Sequence, residues 1–193
     1  MATRSLPSFL LLVAAWLVPT FFIWWLATPL LAWPVAVLCQ IVTRIGFADL
    51  VQGIEQSVEM ITFVTNLRAP GTLSAAAKAV LEVPSNVRLF SFGLPLFAAM
   101  TLAAREAHPL RRLAIGYAAL VPVQTFSVIA DFLKNVVSEP GVASQLGYAP
   151  WQREVVTFCY QFGTLILPAV APAIVWVLLH RHFLENLSAR HEA

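Results

Sequence analysis

No charged side chain interrupts the chain between Arg4 and Arg44, a stretch that contains the runs Phe9 to Trp16 and Phe21 to Leu26. A soluble core helix does not reach that length without a charge, whereas a bilayer span needs about 20 apolar residues. The solvent for this segment is lipid. The rest of the chain agrees, with 59% hydrophobic and only 11% charged residues, against about 25% charged in an ordinary soluble domain. The mean hydropathy is +0.77. A formal charge of +2 with no Lys/Arg run gives no nucleic-acid surface.

Arg4 resembles the charged start of a signal peptide, but the apolar run after it exceeds the roughly 7 to 15 residues of a cleavable one. It reads as an uncleaved signal anchor. Charge-free stretches predict four spans, at about 8–30, 89–104, 113–131 and 155–179. Pro19, Pro29 and Pro34 predict that the first helix breaks near Thr28, leaving 34–43 as a continuation or a short interfacial helix. The second span is short, and snorkelling by Arg88 and Arg105 lets it cross.

The turn from Arg105 to Arg112 holds Arg105, Arg111 and Arg112, and Arg4, Arg181 and Arg190 fall on its side of the bilayer. The positive-inside rule makes that side cytoplasmic, with both termini on it. Segments 44–88 and 132–154 are then external, and Trp24, Trp25, Trp33, Tyr148 and Trp151 suit an outer aromatic belt.

Residues 45–87 form the external insert. Val58 to Thr65 is rich in β-branched and aromatic residues, Arg68 to Gly71 supplies turn chemistry, and Ala79 to Val83 forms a second run ending at Pro84. Ile45 to Val51 is a candidate partner strand. The free edges of the Val58–Thr65 run would suit addition to another chain's sheet. The fold class is therefore an all-α membrane protein, a single membrane domain over 1–193. It has four transmembrane helices and a small β-containing extracytoplasmic insert between helices 1 and 2.

Three motifs carry candidate function. Gly93 permits close helix approach and Pro95 removes a backbone donor, a pattern shared by small-residue packing sites and broken transporter helices. Pro168 and Pro172 lie one turn apart after Gly163, and Gln124, Gln161 or Thr164 is expected to donate to the carbonyls they free. Gly93, Pro95, Gln124, Gln161, Gly163, Pro168 and Pro172 are thus read as helix-packing and interaction residues. Asp131 and Lys134, three apart, are placed to pair.

Cys159, beside Tyr160 and Gln161, is the one candidate nucleophile, but a thiolate wants a nearby histidine. His108, His180, His182 and His191 all fall on the cytoplasmic side, so Cys159 and Cys39 read as apolar thiols. The two cysteines make no CxxC pair or disulfide framework. His180 and His182 point to different helix faces without a third ligand. No catalytic, cofactor-binding or metal-ligating set is read here, and no cofactor is called for.

Phe92 to Phe97, Val121 to Phe126 and Tyr160 to Pro172 together resemble the exosortase H-associated membrane protein family. The architecture matches over about 8–187, the residues in spans two to four. The resemblance implies a non-catalytic accessory protein of an exosortase-type sorting and anchoring system in the bacterial inner membrane. It implies membrane lipid and an exosortase or an exported substrate protein as the expected partners. The family has no catalytic residues to carry over. A membrane-embedded thiol peptidase or transferase using Cys159, and a small transporter or channel subunit, are the alternatives. Exosortases resemble thiol peptidases using Cys, Arg and His at the external face, and this chain has no histidine there.

Overall fold

The computed structural model describes residues 6–68, 80–139, 142 and 146–188. Arg4, the end of the turn predicted at Arg68 to Gly71, Ala79, Arg190 and His191 lie outside the described residues. The order is α1 (Leu6–Gly46), β1 (Val51–Ser57), β2 (Met60–Arg68), β3 (Val80–Asn86), α2 (Arg88–Ser91), α3 (Leu94–Ala104) and α4 (Pro109–Ser138). There follow α5 (Pro150–Gln161), a π-helical turn (Phe162–Ile166), α6 (Leu167–Leu179) and α7 (Arg181–Ser188). Three helical runs are long and apolar enough to cross a membrane: Leu6–Gly46, Pro109–Ser138 and Pro150–Leu179. The run Arg88–Ala104 is shorter and is interrupted at Phe92 and Gly93.

The break predicted near Thr28 is absent. α1 runs unbroken for 41 residues with Pro19, Pro29 and Pro34 inside it. A proline leaves the carbonyl four residues earlier without its helical donor, and membrane bundles tolerate this when a neighbour supplies polar contact. Arg88 Nη2 stands 3.5 Å from Trp25 O, the carbonyl that Pro29 leaves open. The hydroxyls of Thr20, Thr28 and Thr43 turn back onto carbonyls of their own helix at 2.8–2.9 Å. They are thereby buried without orphaned protons.

The insert is a three-stranded antiparallel sheet in the order β1-β2-β3. Two expectations fail here. Ile45 and Gly46 end α1, so β2 pairs instead with Val51–Ser57. The run around Val58–Thr65 has no free edges, because β2 is the central strand, starts only at Met60, and is bonded on both sides.

Val87 N–H donates to Glu59 O, which fixes Ile61↔Ser85 and Phe63↔Val83 as the hydrogen-bonded pairs. Pro84 therefore turns its nitrogen to the outer edge of β3 and costs the ladder nothing. Ile61, Phe63 and Thr65, two apart, are all fully buried because alternate strand residues share a face. Ile61 and Phe63 share one core with Val35 and Cys39 of α1 and Val128 and Phe132 of α4. The Phe63 and Phe132 rings stack with centroids 4.3 Å apart. A second core joins Phe9 and Trp24 of α1 to Phe97, Leu120 and Trp176.

Candidate functional site

The chain's small and helix-breaking residues converge where α3, α4 and α6 meet. Gly93, at the opening of α3, lies against α6: a β-carbon on it would stand 2.1 Å from Pro168 O and 2.6 Å from Pro172 Cγ. Pro172 has no N–H, so the Pro168 carbonyl lacks its helical donor and is instead covered by the bare α-carbon of Gly93. Weak Cα–H···O contact of this kind is a recurring feature of helix interfaces.

Gly163 meets α4 in the same way, with a β-carbon there 3.1 Å from Ser127 Cα. Gly163 falls in the π-helical turn. That extra residue re-aims the helix face between α5 and α6, which is how Gly163 faces α4 and Pro168 and Pro172 face α3 within one continuous run.

Gly93, Gln124, Pro168 and Pro172 line one small cavity of about 10 Å³, together with Ser91. Gln124 is only 4% exposed, and its Oε1 has no hydrogen-bond partner; neither does buried Thr164 Oγ1. Pro95 occupies the first turn of α3, where proline is tolerated, and its carbonyl lies 3.0 Å from Thr20 Oγ1, which shares its one proton between this carbonyl and Trp16 O. Gln161 is exposed and takes no part. The expected donation by Gln124, Gln161 or Thr164 across helices is not formed among the described residues.

Sequence spacing does not single out Ser91, although it sits two residues before Gly93. It is 4% exposed and accepts a hydrogen bond from Trp24 Nε1 at 3.2 Å, tying α2 to α1.

The junction between sheet and helices is polar. Arg88 lies 3.9 Å above the Trp25 ring, pairs with Glu59 at 3.4 Å, and reaches Thr28 Oγ1 at 3.5 Å. One guanidinium thus joins the β1–β2 turn to α1. Asp131 does not pair with Lys134 as its spacing suggested. It accepts from Ser85 Oγ of β3 at 2.6 Å and from Asn135 Nδ2 at 3.3 Å. Lys134 turns to Asn135 and to the Tyr160 ring, 5.1 Å away. Spacing along α4 shows only the neighbours on that helix, whereas the sheet packed across it brings the Ser85 hydroxyl onto the carboxylate.

At the other end of the bundle, Arg112 pairs with Glu106 and donates to Leu179 O at 3.0 Å. His180 is buried against Trp176, with ring centroids 5.0 Å apart, and its Nδ1 lies 3.0 Å from Trp176 O. A carbonyl only accepts, so Nδ1 carries the proton. Nε2 then lacks a hydrogen-bond partner and faces Glu106 Oε2 at 3.6 Å. Burial holds the imidazole below its ordinary range, outweighing the Trp176 carbonyl and Glu106, which favour the charged form; Arg112 adds to the lowering.

Cys39 is buried and Cys159 half-buried, both as free thiols. Cys159 lies about a third of the way along the helical run Pro150–Leu179 and His180 just past its end, about 30 Å apart along its axis.

No curated protein matches the chain. No solved structure matches it either. The model of one family, described as exosortase H-associated membrane protein, matches residues 3–183. With a match across nearly its whole length, the chain belongs to the exosortase H-associated membrane protein family.

Proposed function

We propose that this chain is a non-catalytic accessory subunit of an exosortase-type system that sorts and anchors exported proteins at the bacterial inner membrane. Family membership is the observation that carries this reading. The architecture is in keeping with it, since the closely fitted glycines Gly93, Gly116 and Gly163, against Pro168, Phe97 and Ser127, serve contact between helices.

In this reading four helical runs cross the membrane, the short one being α2–α3. Its 17 residues from Arg88 to Ala104 reach about 25 Å, and Arg88 and Arg105 at its ends extend that reach by snorkelling. Both termini are cytoplasmic because the arginine-rich turn 105–112 controls insertion. The sheet then stands on the outer face, held to the bundle by Arg88 and Asp131. It presents a fixed surface to an exosortase or to its exported substrate.

The test is in-membrane crosslinking in cells that carry the exosortase, with photoreactive residues placed in turn at exposed Ser57 on the sheet and at exposed Phe158 on α5. Adducts to the exosortase or to a sorted protein support the accessory role. Normal sorting and anchoring after deletion of this protein would overturn it.

A further inference from the structure

We propose that the outer half of α1 lies inclined in the outer leaflet of the bilayer, with the sheet on its upper side and lipid acyl chains against its lower side. α1 is uncharged from Leu6 to Thr43, a length of about 57 Å at about 1.5 Å per residue. The hydrocarbon core is only about 30 Å thick, so an upright α1 would carry nearly half of its apolar length past the acyl chains. That half is apolar on both sides. At about 100° per residue, Val35, Ala36 and Cys39 share one side, where they are buried in a core with Ile61 and Phe63 of the sheet. Leu30, Trp33, Val37, Ile41 and Ile45 share the opposite side and are exposed, Leu30 at 75% and Ile45 at 83%. A helix that is apolar all round does not stand in water, and an exposed apolar strip of this extent marks a binding surface.

Three observations name lipid as what covers the strip. It continues from Leu26, exposed on the same side, so it prolongs the lipid-facing surface of a helix long and apolar enough to span. The first charge on α1 is Arg44; it is exposed on the strip's side, where its guanidinium reaches the headgroups by snorkelling. The polar junction stands on the other side, since Arg88 meets α1 at buried Thr28 and pairs with Glu59 of the β1–β2 turn. Inclining α1 toward the strip therefore lowers apolar side chains into lipid and lifts those charges toward water. A tilt of about 40°, within the range of membrane helices, reduces the rise of the uncharged length to about 44 Å, the width of a bilayer with its headgroup regions. The sheet is then held against the membrane surface, with no stalk beneath it.

Fluorescence quenching in phosphatidylcholine vesicles tests this, with the purified full chain reconstituted at high dilution. An environment-sensitive fluorescent amino acid is inserted in turn at Val37 and Ile41, at Leu30 as the lipid control and at Ser57 as the aqueous control. All four positions are exposed, so the label leaves the cores intact. Labels at Val37 and Ile41 should lose most of their emission when the vesicle lipids carry brominated acyl chains and keep it in aqueous iodide, as at Leu30. The label at Ser57 should show the reverse. Iodide quenching at Val37 or Ile41 overturns the proposal, because the strip then stands in water. Protection of either label from both quenchers overturns it too, because a second copy of the chain then covers the strip. The vesicles hold no other protein, so the outcome is independent of the accessory role.

Discussion

Gly93 is held so close to Pro168 that hydrogen is the only side chain the gap admits, because a β-carbon would sit 2.1 Å from the proline's carbonyl oxygen. The neighbour is backbone and cannot rotate away. Gly93→Ala is therefore expected to separate α3 from α6 and to cost about 2 kcal/mol or more, as overpacking does. Thermal unfolding in detergent checks this. An unchanged Tm would mean that the two helices slide apart without loss.

Val58 should be the opposite case. It takes φ 51 in the two-residue turn between Ser57 and Met60, a conformation that favours glycine at the first turn position and strains a β-branched residue. Val58→Gly is expected to stabilise the sheet by about 1 kcal/mol. Amide exchange of β1 and β2 measures it, with slower exchange as the expected result.

Arg88 is expected to hold the sheet against α1. Loss of its contacts with Trp25 and Glu59 in Arg88→Ala should cost about 1–2 kcal/mol. Arg88→Lys should recover only part of that, because an ammonium cannot span ring, carboxylate and hydroxyl at once. Limited proteolysis between β2 and β3 reads the loosening, and equal protection in all three proteins would count against the clamp.

For His180 the sign follows from burial. Its folded-state pKa lies below the ordinary 6.5, so its stabilising share is full above that value and is lost as pH falls through the folded pKa. Tm is expected to drop on acidification below about pH 6, and the drop should shrink in His180→Phe. A Tm that rises on acidification would mean that the charged imidazole gains more from Glu106 than burial costs it.

Topology is checked with single cysteines in a background lacking Cys39 and Cys159. Cysteine at exposed Ser57 should react with an impermeant thiol reagent in spheroplasts, and cysteine at exposed His108 should not. The reverse pattern would invert the orientation.

The three long apolar helices were legible because charge-free length has one physical meaning, and the close packing of Gly93, Pro168 and Pro172 was suggested by small and imino residues recurring in apolar helices. Their pairing was not legible, since nothing local says which carbonyl a glycine 75 residues earlier will cover. Proline misled at Pro29 because its breaking power assumes that the freed carbonyl finds no neighbour, and Arg88 supplies one to Trp25 O from 63 residues away. Val58 misled for a different reason. Its β-branch reads as strand, while the turn it occupies demands a backbone usually announced by glycine. Asp131 shows the same limit: a partner three residues away was visible, but Ser85, on the sheet, was not.

α1 carries Val35 and Cys39 beneath the sheet at one end and Phe9 against Trp176 and Phe183 at the other. No loop separates the two ends, so the helix is a shaft of about 60 Å fixed to both. A rotation of α1 beneath the sheet is therefore also a rotation of Phe9 in its aromatic seat at the opposite end of the same helix.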